Sequence, residues 1–95
     1  MDDYPTEQQL VKIETWPAND LEGLMGFIQP LWAYADCGYW SQLDGVYRIS
    51  TAGWSGNEEI ISSLQQNHIW WMMFWYQSRR GGHYIFANHS CLEIE

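Results

Sequence analysis

In the N-terminal third of this chain the apolar positions recur with a helical period; further on the period shortens to that of a strand. Thr6 followed by Gln9 makes a capping-box pattern, and Leu10 and Ile13 fall on one face of the helix it would start. Pro17 ends that segment, because the residue before a proline is disfavoured in the α region. Asn19 is the expected cap of a second helix, with Glu22 at its third position. Leu21, Leu24, Met25 and Ile28 then stand at i, i+3, i+4 and i+7. Gly23 and Gly26 each weaken this helix by about 1 kcal/mol relative to Ala, and Pro30 marks its end.

Beyond Pro30 the character changes. Tyr39–Gln42 and Val46–Ser50 read as strands joined at Asp44-Gly45, a strong hairpin signal. Tyr47 and Ile49 alternate with Arg48 and Ser50, which predicts one buried and one wet face. Ser55 with Glu58 predicts a second capping box, with Trp54 as its staple, Ile60, Ile61 and Leu64 on the apolar face and Asn67 as a left-handed stop. The run Ile69–Tyr76 is apolar without alternation, which predicts a strand covered on both faces. Ser78–Gly82 then turns the chain into a returning strand over His83–Phe86. The tail from Cys91 to Glu95 is expected to add a short edge strand or to fray. The expected architecture is a single α+β domain over 1–95, in the order α-α-β-β-α-β-β. It has an antiparallel sheet of about four strands (two hairpins), with helices packed on one face.

Composition changes this picture in two places. Aromatic residues make up 17% of the 95-residue chain, seven of them Trp, and each ring can bury roughly 150–250 Å². A chain this short cannot enclose so many rings, so some are expected at the surface, where aromatic patches mark partner sites. Net charge is −8, from twelve acids against four bases. That sign opposes direct contact with nucleic-acid phosphates or anionic membranes and suits a protein partner with a basic surface. The apolar run at 69–76 is far below the roughly 20 residues of a membrane helix. The opening Met1-Asp2-Asp3-Tyr4 has neither a basic nor an apolar signal region. A cytoplasmic location (that of the host cell), with Cys37 and Cys91 reduced, is therefore expected.

The stretch Ile49–Ile61, which contains Gly53-Trp54-Ser55-Gly56-Asn57-Glu58-Glu59, and the segment Arg80-Gly81-Gly82-His83-Tyr84-Ile85-Phe86 together resemble a group of small uncharacterised proteins of bacteriophage and prophage genomes. The likeness spans about residues 45–88, with weaker similarity at Trp16-Pro17 and Trp32. It implies a phage-encoded, cytoplasmic accessory protein, and it carries over no activity and no site residue.

Candidate chemistry is sparse. Gly53-Trp54-Ser55-Gly56 stands between a strand and a helix, as a nucleophile elbow would, but the second Gly comes one position early. Ser55 is therefore read as a cap. His83, His89 and Cys91, with Cys37 or His68, lack the two close-spaced pairs of a structural zinc site, so neither metal nor cofactor is expected. Arg79-Arg80-Gly81-Gly82 could contact an anion. With so few bases, it reads better as a turn whose arginines pair with surplus carboxylates or stack on Trp71 or Trp75. On the expected strand Trp71 and Trp75 share one side and Trp70 takes the other.

No acid/base or nucleophile set is discernible, which argues against an enzyme. The expectation is an accessory protein that binds a host protein, as an inhibitor of a host defence complex of the anti-CRISPR kind acting by acidic nucleic-acid mimicry. The alternative is a homo-oligomeric structural or regulatory phage protein, a homodimer in its simplest form. The candidate partner-binding residues are Asp36 and Asp44 flanking the first hairpin, Asp20, Glu22, Trp71 and Trp75. Whether the acidic or the aromatic set forms the interface stays open at this level.

Overall fold

The two sequence periods become two layers. The computed structural model describes residues 4–33 and 35–88, with the backbone alone at Asp36. Helices α1 (Glu7–Glu14) and α2 (Leu21–Ile28) come first, and short 3-10 turns at Gln29–Leu31 and Ala35–Cys37 lead to strands β1 (Trp40–Leu43) and β2 (Val46–Ser50). Helices α3 (Ser55–Gln66) and α4 (His68–Phe74) abut at Asn67, and strands β3 (Trp75–Arg79) and β4 (His83–Ala87) close the fold. The sheet order is β1-β2-β4-β3 with every neighbouring pair antiparallel. This is the expected α+β architecture. The order α-α-β-β-α-β-β holds when α3 and α4 are taken as one helical unit.

Ile13 of α1, Leu24, Met25 and Ile28 of α2, and Ile60 and Leu64 of α3 meet Trp40, Tyr47, Ile49 and Phe86 in one buried cluster. Register explains why the strand residues share a face: Trp40 lies opposite Ile49, and Tyr47 opposite Phe86. Asp44 and Gly45 take φ of 56° and 78°, the left-handed pair that a two-residue turn between twisted strands requires. Ser50, expected to be wet, is buried. Trp32 lies over the end of β2 and donates its Nε1–H to the Ser50 carbonyl at 3.1 Å, while the Ser50 hydroxyl accepts the Ala52 amide at 3.3 Å.

Local caps decide where the helices begin. The box at Thr6 forms: the Gln9 amide donates to Thr6 Oγ1 at 3.1 Å and the Thr6 amide to Gln9 Oε1 at 2.8 Å. The cap of α2 is Asp20, not Asn19. One Asp20 oxygen accepts the Gly23 amide at 2.9 Å and the other accepts Trp16 Nε1 at 3.0 Å, so the carboxylate caps the helix and anchors the Trp16 ring together. Ser55 is not a cap either. Ala52 and Gly53 take positive φ and the Trp54 amide bonds the Thr51 carbonyl at 2.8 Å, a tight turn that puts Trp54 in the cap position. Ser55 is thus already helical, and its hydroxyl bonds that of Tyr4 instead. Glu58 takes the Thr51 hydroxyl at 3.5 Å rather than closing a box. Asn67 does stop α3, but with φ −86° and ψ 75°, outside the left-handed region.

The Asp20 cap separates the two glycines of α2. A methyl group at Gly23 would collide with the Asp20 carboxylate, whereas one at Gly26 would meet nothing within 4 Å. Gly26→Ala is accordingly expected to stabilise the protein by about 0.4–1 kcal/mol, and Gly23→Ala to destabilise it. Urea titration of the two variants checks the opposite signs.

The largest departure from expectation lies at 69–76, where a single strand was predicted. Residues 68–74 form a helix, and only Trp75 onward is strand. An unbroken apolar run has no period, so it does not distinguish a strand covered on both faces from a short helix. Asn67 decides the case. Its side chain is buried and donates to the carbonyls of Ile13 at 3.1 Å and Trp16 at 3.0 Å, tying the end of α3 to the end of α1. The chain then restarts as helix, with the Trp71 amide on the Asn67 carbonyl at 2.9 Å.

Tyr47 gives the fold an alkaline limit. Burial, and secondarily the Glu22 carboxylate, pushes its phenol above the ordinary 10.0. The fold favours the neutral ring, so the unfolded chain ionises first as pH rises through about 10. Stability present below that pH is lost until the folded pKa is passed. Tyr47→Phe should keep a larger share of its neutral-pH stability than wild type when denaturation midpoints at pH 8 and pH 11 are compared.

Candidate interaction surface

Helix α4 is two turns of nearly uniform apolarity, so its packing has to leave some of it outside. Trp70 and Phe74, one turn apart, take the inward side. The Trp70 ring is fully buried, 5.4 Å from both Phe74 and Phe86 between ring centres, and its Nε1 donates to the Asp20 carbonyl at 3.2 Å. That choice turns Ile69, Met72 and Met73, at i, i+3 and i+4, toward solvent. Met72 is 76% exposed and Ile69 61%.

Trp75 ends the helix with extended backbone. Its ring stacks back on Trp71 at 6.0 Å and 12°, and its Nε1 donates to the Ser78 hydroxyl at 2.8 Å. Trp71 is half-buried and rests edge-on against Phe86 at 5.3 Å and Tyr84 at 6.2 Å. Trp75 and Tyr76 remain exposed. A register shift between Trp75 and Gln77 takes Tyr76 out of the ladder with β4, and β3 is itself an edge of the sheet. The result is an aromatic wall, Trp71 and Trp75, packed on the core, with Ile69, Met72, Met73 and Tyr76 exposed in the same segment. No Asp, Glu, Lys or Arg occurs between Glu59 and Arg79. Surfaces of this make-up, rich in aromatics and Met and depleted of charge, are characteristic of protein interfaces.

Trp71 and Trp75, expected to share one side, are indeed brought together, but by helical i, i+4 spacing and not by strand alternation. The acids stand on separate elements. Asp20 caps α2 and is half-buried, with both carboxylate oxygens engaged inside the fold. Glu22 is exposed on α2 and Asp44 in the β1–β2 turn. Asp36 has its backbone in the 3-10 turn Ala35–Cys37, and its side chain lies outside the described atoms. Ile69, Met72, Met73 and Tyr76 escaped sequence reasoning. The absence of charge across 60–78 is the signal that marks them, whereas the unbroken apolarity of 69–76 reads as a strand covered on both faces.

Among the described residues no three His, Cys, Asp or Glu side chains are placed to hold a metal ion. His83 opens β4, exposed, while His89 and Cys91 lie outside the described residues. Cys37 is a free, exposed thiol. The expected pairing of Arg79 and Arg80 with carboxylates does not occur among the described residues. Nor, among the described residues, does either arginine stack on Trp71 or Trp75; the cation–π contacts are those of Lys12 with Trp16 and Phe27. No helix of the described chain is long and apolar enough to cross a membrane. No protein-family model matches this sequence, and no curated protein or solved structure matches it either.

Proposed function

We propose that this chain works by binding another protein through the α4–β3 surface, as a phage-encoded accessory factor that docks on a host protein and inhibits it. One observation carries the reading: Ile69, Met72, Met73, Trp75 and Tyr76 are exposed within eight residues in a stretch free of charge. Burying such a patch against a complementary groove supplies affinity at roughly 25 cal/mol per Å² of apolar surface, less the cost of association. The net charge of −8 acts at longer range, steering encounter with a partner whose groove is framed by basic residues. Mimicry of nucleic acid by the acids is thereby a steering effect, with the contact itself aromatic and aliphatic. Self-association is the second reading, favoured by the edge position of β3.

Light scattering on the eluting protein, followed by affinity capture from host lysate, separates the two. The account expects a monomer that retains a host protein, and loss of that protein from the Met72→Glu/Tyr76→Glu variant. Both positions are exposed, so the double variant should fold normally. A dimer split by the same two substitutions would make self-association the function. A partner held equally by both forms would remove the α4–β3 surface from the mechanism.

A further inference from the structure

The sheet face turned away from the helices carries a second, chemically different site. Strand register sets two rows across it. Ser41, Arg48 and Ile85 stand side by side on β1, β2 and β4, and Ser50, His83 and Arg79 on β2, β4 and β3. They border a concave pocket of about 410 Å³, to which Tyr39 contributes a wall from the segment before β1. At the other end of this face Val46 and Ala87 are buried, whereas Arg48, His83 and Arg79 are exposed.

The charge of this pocket is opposite to that of the chain. Acids outnumber Lys and Arg by twelve to four overall, yet among the described residues no Asp or Glu lines the pocket and two of the four bases do. Neither Arg48 nor Arg79 has an ion pair among the described residues. We propose that this pocket binds a small organic anion, its phosphate or carboxylate head held between Arg48 and Arg79 and its flat apolar body against Tyr39 and Ile85.

The dimensions agree with such an occupant. β2 and β3 are two strand spacings apart, about 9.6 Å, and the two arginines are offset by two residues, about 6.6 Å, along the strands. Two planar guanidinium forks on long stems can close on one headgroup from opposite sides across that span, each offering paired N–H donors. The His83 ring N–H and the Ser41 hydroxyl supply further donors. The volume falls within the range of small-molecule sites, and the local excess of bases opposes the overall field that would otherwise repel an anion.

The test is an amide-shift titration of the full ¹⁵N-labelled chain with phenyl phosphate, benzoate and inorganic phosphate. Phenyl phosphate or benzoate is expected to saturate with Kd below about 1 mM, shifting the amides of Arg48, Ser50, His83 and Ile85. Whichever is tighter identifies the headgroup, and inorganic phosphate, lacking the ring, should bind at least about tenfold more weakly. Arg48→Gln and Arg79→Gln should each weaken the tighter probe by about tenfold or more. Arg80→Gln, outside the pocket, should leave it unchanged. Both pocket arginines are exposed, so melting midpoints should match wild type. Shifts that rise without saturation for all three probes, or saturating shifts that survive the paired Arg48→Gln/Arg79→Gln substitution, would overturn the proposal.

Discussion

Trp70→Ala is expected to lower the unfolding free energy by about 3–5 kcal/mol, a large share of the roughly 5–14 kcal/mol that a domain of this size has. The ring is fully buried between Phe74 and Phe86 and is the point where α4 is fastened to the start of α2 through the Asp20 carbonyl. Truncation removes the ring's burial, leaves a cavity in a close-packed core, and strands a carbonyl. Met72→Ala, two residues further along the same helix, removes a side chain that is mostly in water and should change stability by no more than about 0.5 kcal/mol. Urea denaturation of both variants measures the contrast. Comparable losses at the two positions would mean that residues 69–76 are covered on both faces, and would overturn the helical assignment.

Asn57→Ala should cost about 2–3 kcal/mol, because it strands buried backbone groups rather than merely removing a contact. The side chain is fully buried in the first turn of α3. Its oxygen accepts the Ala33 amide at 2.9 Å, and its nitrogen donates to the carbonyls of Ala33 at 3.2 Å and Thr51 at 3.4 Å. It therefore holds α3, the chain after α2 and the end of β2 in one arrangement. Asn57→Asp keeps the acceptor but sets a buried carboxylate against two carbonyls, so it should be at least as damaging at neutral pH. Midpoints from thermal melts of both variants check this. A loss under about 0.5 kcal/mol for Asn57→Ala would show that solvent reaches these groups.

The parts of the fold legible in the sequence are those set by local chemistry with one outcome. Asp44-Gly45 supplies the two left-handed residues of a tight hairpin, and the Thr6 box forms as read. Leu21, Leu24, Met25 and Ile28 give α2 a buried face as their spacing demands. Where a pattern had two outcomes, tertiary context chose. Ser55 and Glu58 match the same box as Thr6 and Gln9, but the tight turn at Ala52-Gly53 advances the helix start by one residue, and Tyr4, far away in sequence, takes the hydroxyl. Asn67 ends α3 as its local pattern says, but the tertiary bonds of Asn57 and Asn67 carry no local signal, since they run to residues between 6 and 54 positions away. The candidate interaction surface is half legible. Trp71 and Trp75 were singled out for their rings, but their aliphatic neighbours were hidden by the assumption that unbroken apolarity means burial.

The claim at the centre of this account is that the contact is made by α4–β3 and that the acids only steer. The direct measurement is the affinity of the captured host protein for three forms: wild type, Met72→Glu/Tyr76→Glu, and Asp44→Lys/Glu59→Lys at two exposed acids of the β1–β2 turn and α3, each at low and high salt. The account predicts that the first double variant loses about a hundredfold or more, as loss of a buried anchor pair should. The charge reversals should mainly slow association and reduce its salt dependence, since exposed charges are screened within about 10 Å at 0.1 M. An affinity that collapses on charge reversal and with added salt, yet is indifferent to Met72→Glu/Tyr76→Glu, would contradict it.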